Sequence, residues 1–496
     1  SNNSITRCTL RDRSDTTTVN YPAYGVYASS TAAAAAFNKN VSVSENKIFN
    51  IYNQNGTSGY LYISAGNTDW TLSGNRIYHN IASPPTFASG FLINGIYVSN
   101  TGSNFVLSGN IIGYNDSTST GTYTITTAQT VTFSGMYISV GTAAASSVQG
   151  NAIKAINFTT AGTGSFFTGY NFAGGNINVG TSAGNSFGDT TSTGSITTTC
   201  GSTGTLYAMY CLSSGALNVF NNVIGSVLVN ATSTSATANM SGFYIGNGTH
   251  VISNNRIGSF GTTSSINLAT ASTSATAQSI HGMQILGGTI TVNSNVFANL
   301  NNNYAGTGAG FIRAISITGG VITTTNNIIR NFTTTSGNPS TVTSGSSAVM
   351  GISNTSGTAG QVITGNQIFN LSASHATAAT SAAGIYYGMT STGNMVAKNF
   401  IHSLSVATTS TSAGIGGIVS APTAGAGTIQ NNMIRLGLDS AGNSLATPKL
   451  IYGIHKGTTS GFLVYFNSVY IGGTGVGTTA VNTHAMYRST GVATDD

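Results

Sequence analysis

An asparagine in the frame apolar, x, x, Asn, x, apolar returns from one end of the chain to the other, as in Val43-Ser44-Glu45-Asn46-Lys47-Ile48 and Ile429-Gln430-Asn431-Asn432-Met433-Ile434. Asn46, Asn75, Asn110, Asn151, Asn185, Asn222, Asn255, Asn295, Asn327, Asn366, Asn399, Asn432 and Asn467 form one column, with intervals of 29 to 41 residues that average 35. Self-similarity at such a period means that each repeat is one structural unit burying its face on the next. The 496 residues therefore read as a single continuous body over 1–496, and the length counts coils rather than domains.

A second anchor recurs in each repeat, a small residue followed by an apolar, often aromatic strand: Ile93-Asn94-Gly95-Ile96-Tyr97-Val98, Phe133-Ser134-Gly135-Met136-Tyr137-Ile138, Met240-Ser241-Gly242-Phe243-Tyr244-Ile245. Alanine replaces the glycine at Ala208, Ala314 and Ala485, so the position demands small volume at a bend rather than a left-handed backbone. A third stretch, Thr289-Ile290-Thr291-Val292, alternates with period two and is β-branched. Strand, turn, strand, Asn turn, strand, with no helical period and few hairpin signals, predicts an all-β, right-handed parallel β-helix of about 13 coils. Each coil has three short strands, and variable Thr/Ser/Ala-rich loops absorb the unequal intervals. Asparagine suits the corner because it tolerates the left-handed conformation and its amide can bond to copies above and below. The column is thus expected to be structural.

Charged residues make up only 5% of the chain, and the net charge of +6 comes from 15 Lys/Arg against 9 Asp/Glu spread over its length. That is too dilute for the phosphate neutralisation of nucleic-acid binding. No apolar run reaches the roughly 18 residues of a membrane span. Cys8, Cys200 and Cys211 are an odd count without metal-ligand spacing, and Cys211 occupies a place where other repeats carry Ile or Val. Whether Cys200 and Cys211 pair is left open. The opening Asn2-Asn3-Ser4-Ile5-Thr6-Arg7-Cys8 reads as the asparagine turn of an incomplete coil, and His484-Ala485-Met486-Tyr487-Arg488 starts a coil that never reaches its asparagine. Solenoids need polar caps. The chain is therefore expected to be an excerpt, with flanking coils or domains of the same long chain as its partners.

Polysaccharide lyases and hydrolases on β-helices need clustered carboxylates. Here Asp12, Asp15, Glu45, Asp69, Asp116, Asp189, Asp439, Asp495 and Asp496 show no two internal members at equivalent places in adjacent coils. Asp69-Trp70 with Arg76 and His79 is the best polar cluster, and reads as a loop carboxylate beside a turn. No catalytic set, metal or cofactor is expected. The most site-like feature is an outward column two residues after the small anchor: Tyr27, Tyr97, Tyr137, Tyr210, Tyr244, Tyr386 and Tyr487. Tyr97 with Tyr137, and Tyr210 with Tyr244, would stack on neighbouring coils as glycan contacts; the plainer alternative is that they lie beneath the loops. Arg330, His402 and Arg435, three residues after the asparagine, read as a solvated edge.

The repeats Leu72-Ser73-Gly74-Asn75-Arg76-Ile77-Tyr78-His79-Asn80-Ile81 and Ile363-Thr364-Gly365-Asn366-Gln367-Ile368-Phe369-Asn370-Leu371, separated by Thr/Ser/Ala tracts, resemble the very large secreted parallel β-helix repeat surface proteins of Bacteroidota. That resemblance spans the chain and implies export by the type IX system, contact with the secretion machinery or surface glycans, and an extracellular or cell-surface location. It also implies O-glycosylation after aspartate, at Thr16, Ser117, Thr190 and Ser440. The expected function is a non-enzymatic structural or adhesive rod, stalk or filament segment; the alternative is a polysaccharide-degrading β-helix enzyme.

Overall fold

The computed structural model describes residues 2–11, 22–31, 33–53, 56–81, 87, 89–339, 341–421, 426–445, 449–457, 461–474, 476 and 483–489. It is an all-β parallel β-helix of about 13 turns; one 3-10 turn, Ala34–Ala36, is the sole helical element among these residues. Two compact units divide the chain: residues 1–232 with 238–251, and residues 233–237 with 252–496.

Three sheets wind through each unit. In the first unit, Val41–Ser44, Thr71–Ser73, Val106–Ser108, Ser146–Gln149 and Ile177–Val179 stack in parallel just before the asparagines. Lys47–Phe49, Arg76–Tyr78, Ile111–Gly113 and Ala152–Lys154 stack just after them. The third sheet stacks Thr57–Ile63, Phe91–Ser99, Val131–Ser139 and Gly164–Gly174, and carries the small anchor in the last three. The second unit repeats the scheme, for example with Val321–Thr325, Ile328–Thr334 and Phe311–Ile317. One detail is finer than three strands per coil: in most coils the second sheet bends four residues after the asparagine. Ala155 and Ser226 take φ of 49° and 55° there and separate two short strands, whereas Asn331, Asn370 and Ser403, at 55° to 59°, kink one long strand.

The asparagines form a buried amide ladder in each unit. Asn110 Oδ1 accepts from the main-chain N–H of Asn75 at 3.1 Å and from its Nδ2 at 2.9 Å. Asn110 Nδ2 donates to Leu72 O at 2.8 Å and to Asn151 Oδ1 at 2.9 Å. Both lone pairs and both protons are used, which is what a fully buried amide requires. The pattern runs from Asn46 to Asn222 in one unit and from Asn255 to Asn467 in the other, each amide-to-amide bond donated toward the following coil.

Two expectations about this turn are corrected. The left-handed residue is the one before the column asparagine: Glu45, Gly74, Gly109, Gly150, Asn221, Asn254, Ser294, Asn326, Gly365, Lys398 and Asn431 all have φ between 55° and 69°. The column residue is thereby free to aim its amide along the stack. In the opening coil, Asn3 lies in the first sheet opposite Val41, and Cys8 stands level with Asn46, its N–H donating to Asn46 Oδ1 at 2.9 Å.

The small anchor is a bend in register on both strands without a left-handed φ, as its alanine substitutes implied. Register passes from Asn94↔Ser134 to Ile96↔Met136 without pairing Gly95. A Cβ on Gly95 would stand 2.5 Å from Gly135 O and 2.8 Å from Ile112 Cδ1, the inward side chain two residues after Asn110. Cys200 and Cys211 are buried thiols rather than a disulfide, pushed up to about 11 and 12 by burial.

One coil breaks the small-anchor rule. The register Asn94↔Gly59 and Ile96↔Leu61 puts Tyr60 at the anchor, and its buried hydroxyl meets that of Tyr123 at 3.1 Å. Beside them His79 is 1% exposed, edge-on to Tyr52 at 4.9 Å, with Nδ1 3.2 Å from Asn50 Oδ1. Burial lowers His79 to about 4. The unfolded chain takes up this proton near pH 6.5, so between the two values it binds more protons than the folded chain, and stability falls as pH falls. The loss should reach about 3 kcal/mol by pH 4. Thermal unfolding at pH 7 and pH 4 should show a smaller acid loss in His79→Gln than in the wild type; an equal loss would discount the buried imidazole.

Candidate functional site

The outward tyrosines of the first unit share one register line on the third sheet. Tyr27, Tyr62, Tyr97 and Tyr137 pair in succession, and their rings stack: 5.9 Å and 12° for Tyr27–Tyr62, 4.3 Å and 9° for Tyr62–Tyr97, 4.8 Å and 14° for Tyr97–Tyr137. Strand spacing of about 4.8 Å delivers the rings at this separation without further adjustment. Tyr210 and Tyr244 stack at 4.7 Å and 27°, flanked by Tyr207. The line passes from Tyr137 to Tyr210 through Asn171.

Stacking changes what each ring can offer. Tyr97 has a tyrosine on both faces, so it presents an edge and a hydroxyl. Tyr137 and Tyr210 each have Asn171 as the neighbour on one side, so one face of each is not covered by a tyrosine of the adjoining coil. Asn171 Oδ1, between them, is buried without a hydrogen-bond partner. Partial burial raises the Tyr137 and Tyr210 hydroxyls, and neighbouring tyrosines add to it, which keeps both neutral donors.

Tyr62 was missed by sequence reasoning because Tyr60 stands in place of the small anchor that located the other members. The usable signal was its interval of 35 residues to Tyr97. Tyr386 and Tyr487 lie in the second unit and are not part of this stack. Tyr386 lies under the loop at Gly345, whose added Cβ would meet the ring at 2.9 Å, so for this residue the plainer expectation holds. Tyr487 packs with Tyr452, His455 and His484.

The chain matches no family model, no curated protein and no solved structure.

The described carboxylates are held in local contacts. Glu45 pairs with Arg7 at 2.6 Å, the one ion pair among the described residues, and Asp69 accepts from Asn104 at 2.8 Å. Asp69, Trp70, Arg76 and His79 do not converge: Trp70 is buried against Asn38 O, and His79 lies in the core on Asn50. Asp116, Asp189 and Asp439 each open a loop leaving the second sheet by accepting main-chain N–H groups two to four residues on. Hydrogen bonds from Thr120 and Thr118 hold Asp116 down at about 2; Asn443 lowers Asp439; at Asp189 the bonds from Ser192 and Thr191 outweigh partial burial. Ser117 and Thr190 on these loops are half-buried and Ser440 is exposed, while Thr16 lies outside the described residues. No group of three or more His, Cys, Asp or Glu among the described residues could hold a metal ion, and no helix is long and apolar enough to cross a membrane. A groove of about 1090 Å³ in the second unit is lined by hydroxyls, Asp439, Leu445 and His375, whose Nδ1 accepts from Thr377 and Ala378 N–H.

Proposed function

We propose that this chain is a non-enzymatic structural or adhesive β-helix segment of a large extracellular or cell-surface protein, and that its tyrosine line contacts glycans. The observation that carries the adhesive part is the interruption at Asn171. Two tyrosine faces, two coils or about 9.6 Å apart, flank the gap that Asn171 leaves in the row of rings. A pyranose presents an apolar face, which suits such ring faces, and a hydroxyl rim that the neutral Tyr137 and Tyr210 hydroxyls can meet. The capped aspartates favour a structural role for the loops, since a carboxylate committed to its own turn gives up the lone pairs that acid–base work needs. Export by the type IX system and O-glycans at Ser117, Thr190 and Ser440 rest on the resemblance of the repeats.

The test is co-sedimentation with insoluble neutral polysaccharides. Tyr137→Ala and Tyr210→Ala should each weaken retention about tenfold, the equivalent of one aromatic contact. Tyr27→Ala, at an exposed ring remote from the gap, should change it little. Unchanged retention in the Tyr137/Tyr210 double variant would remove the site.

A further inference from the structure

The second unit carries a different stripe on the outer face of its second sheet, three residues after each asparagine from Asn327 to Asn467. Register sets Arg330, Phe369, His402, Arg435 and Tyr470 side by side on consecutive coils. Phe369 and His402 stack at 4.8 Å and 5°, and Phe400 tilts against His402 at 4.5 Å. Arg330 lies 5.1 Å from the centre of the Phe260 ring, and its Nη2 donates to Phe260 O at 3.0 Å. The solvated edge expected from Arg330, His402 and Arg435 is therefore an alternation of cations and aromatic rings. Its members are half-buried, except for the exposed Phe260 and Tyr470.

Neither arginine has a carboxylate partner among the described residues. The ion pair of the described residues is elsewhere, at Arg7–Glu45, and Asp439, beside Arg435, gives it only a main-chain carbonyl at 3.4 Å while its carboxylate is held by Asn443 and Ala441. The Nε of each arginine is buried without a hydrogen-bond partner. A guanidinium fork fits a carboxylate bidentately, and with Nε buried the terminal Nη groups are the donors left for that contact. His402 spends Nδ1 on Ser403 Oγ at 2.9 Å, which leaves Nε2 for a ligand.

We propose that this stripe binds an acidic, carboxylate-bearing polysaccharide lying along the coil stack, with carboxylates on Arg330 and Arg435 and sugar rings over Phe369, Phe400 and His402. Sparse cations with aromatic rings between them select this class. Arg330 and Arg435 are three coils, about 14 Å, apart. A nucleic-acid strand carries a phosphate at about every 3.4 Å of helix axis and would leave most of its charge unmatched. A uronate polymer carries one carboxylate on each sugar ring, so rings at either end can reach the two arginines while the rings between them lie over the aromatic side chains. The site is independent of the tyrosine line and of the neutral-glycan reading.

The test uses the full chain and immobilised polygalacturonate, with its methyl-esterified form, a neutral glucan and single-stranded DNA as comparison arms. Polygalacturonate should be retained in a salt-sensitive way, about a hundredfold more weakly by Arg330→Gln/Arg435→Gln, with Arg330→Lys/Arg435→Lys intermediate because charge survives without the fork. Far-UV circular dichroism checks that the variants fold, and Tyr137→Ala/Tyr210→Ala should bind like the wild type. No retention, equal retention by the folded Gln and wild-type proteins, or equal retention of the esterified polymer or DNA would each overturn the proposal.

Discussion

Asn110→Asp should lose roughly 3–5 kcal/mol at neutral pH, although it changes one atom and almost no volume. Asn110 Nδ2 donates to Leu72 O and Asn151 Oδ1, so a carboxylate oxygen would face two acceptors in a site with no solvent. Two donated bonds become two repulsions, and the charge has no counter-ion. The pH dependence identifies the cause. The folded state penalises the carboxylate, so its pKa there is raised above the unfolded value near 3.9. Between those values the folded chain binds more protons, and part of the lost stability returns as pH falls through the raised value. Urea unfolding of wild type and variant at pH 7 and pH 4.5 measures both. A loss below about 1 kcal/mol at pH 7 would mean that the ladder is not essential to the coil.

Gly384→Val is the second large effect, with an expected loss of about 3 kcal/mol or more. A Cβ there would stand 2.6 Å from Ile401 Cγ2 and 2.7 Å from Gly417 O, and the second contact is backbone that cannot swing away. Ala208 and Ala314 show that some coils accommodate one methyl at this anchor; valine adds two more carbons toward a fully buried isoleucine. Gly261→Ala is the control, because its added methyl meets nothing within 4 Å and its φ is not left-handed. It should be neutral within about 0.5 kcal/mol. Equal melting temperatures for Gly384→Val and Gly261→Ala would refute the packing account.

Much of this was legible in the sequence because a solenoid writes the same local problem repeatedly. The asparagine column, the slipped phase at Gly95 and Gly135, and the stacking of Tyr97 on Tyr137 follow from period and alternation alone. The left-handed residue was visible too, as Gly or Asn immediately before the column in Gly74, Gly109, Asn254 and Gly365, but the column asparagine drew the assignment to itself. Tyr62 was hidden because Tyr60 occupies its anchor, an exception that only the pocket around Tyr123 explains. The cation–aromatic stripe was hidden because Phe369 interrupts the run of basic residues, and the register that makes it their neighbour is a property of the stack. Loop contacts such as Gly345 over Tyr386 have no periodic signal at all.

The central functional claim is that this β-helix holds polysaccharide without cleaving it. The direct measurement is incubation of the chain with each polysaccharide it retains, followed by reducing-end analysis of the polymer and recovery of the bound protein. The account predicts protein on the polymer and reducing ends at the level of buffer alone. New ends that accumulate with time and protein concentration would contradict it.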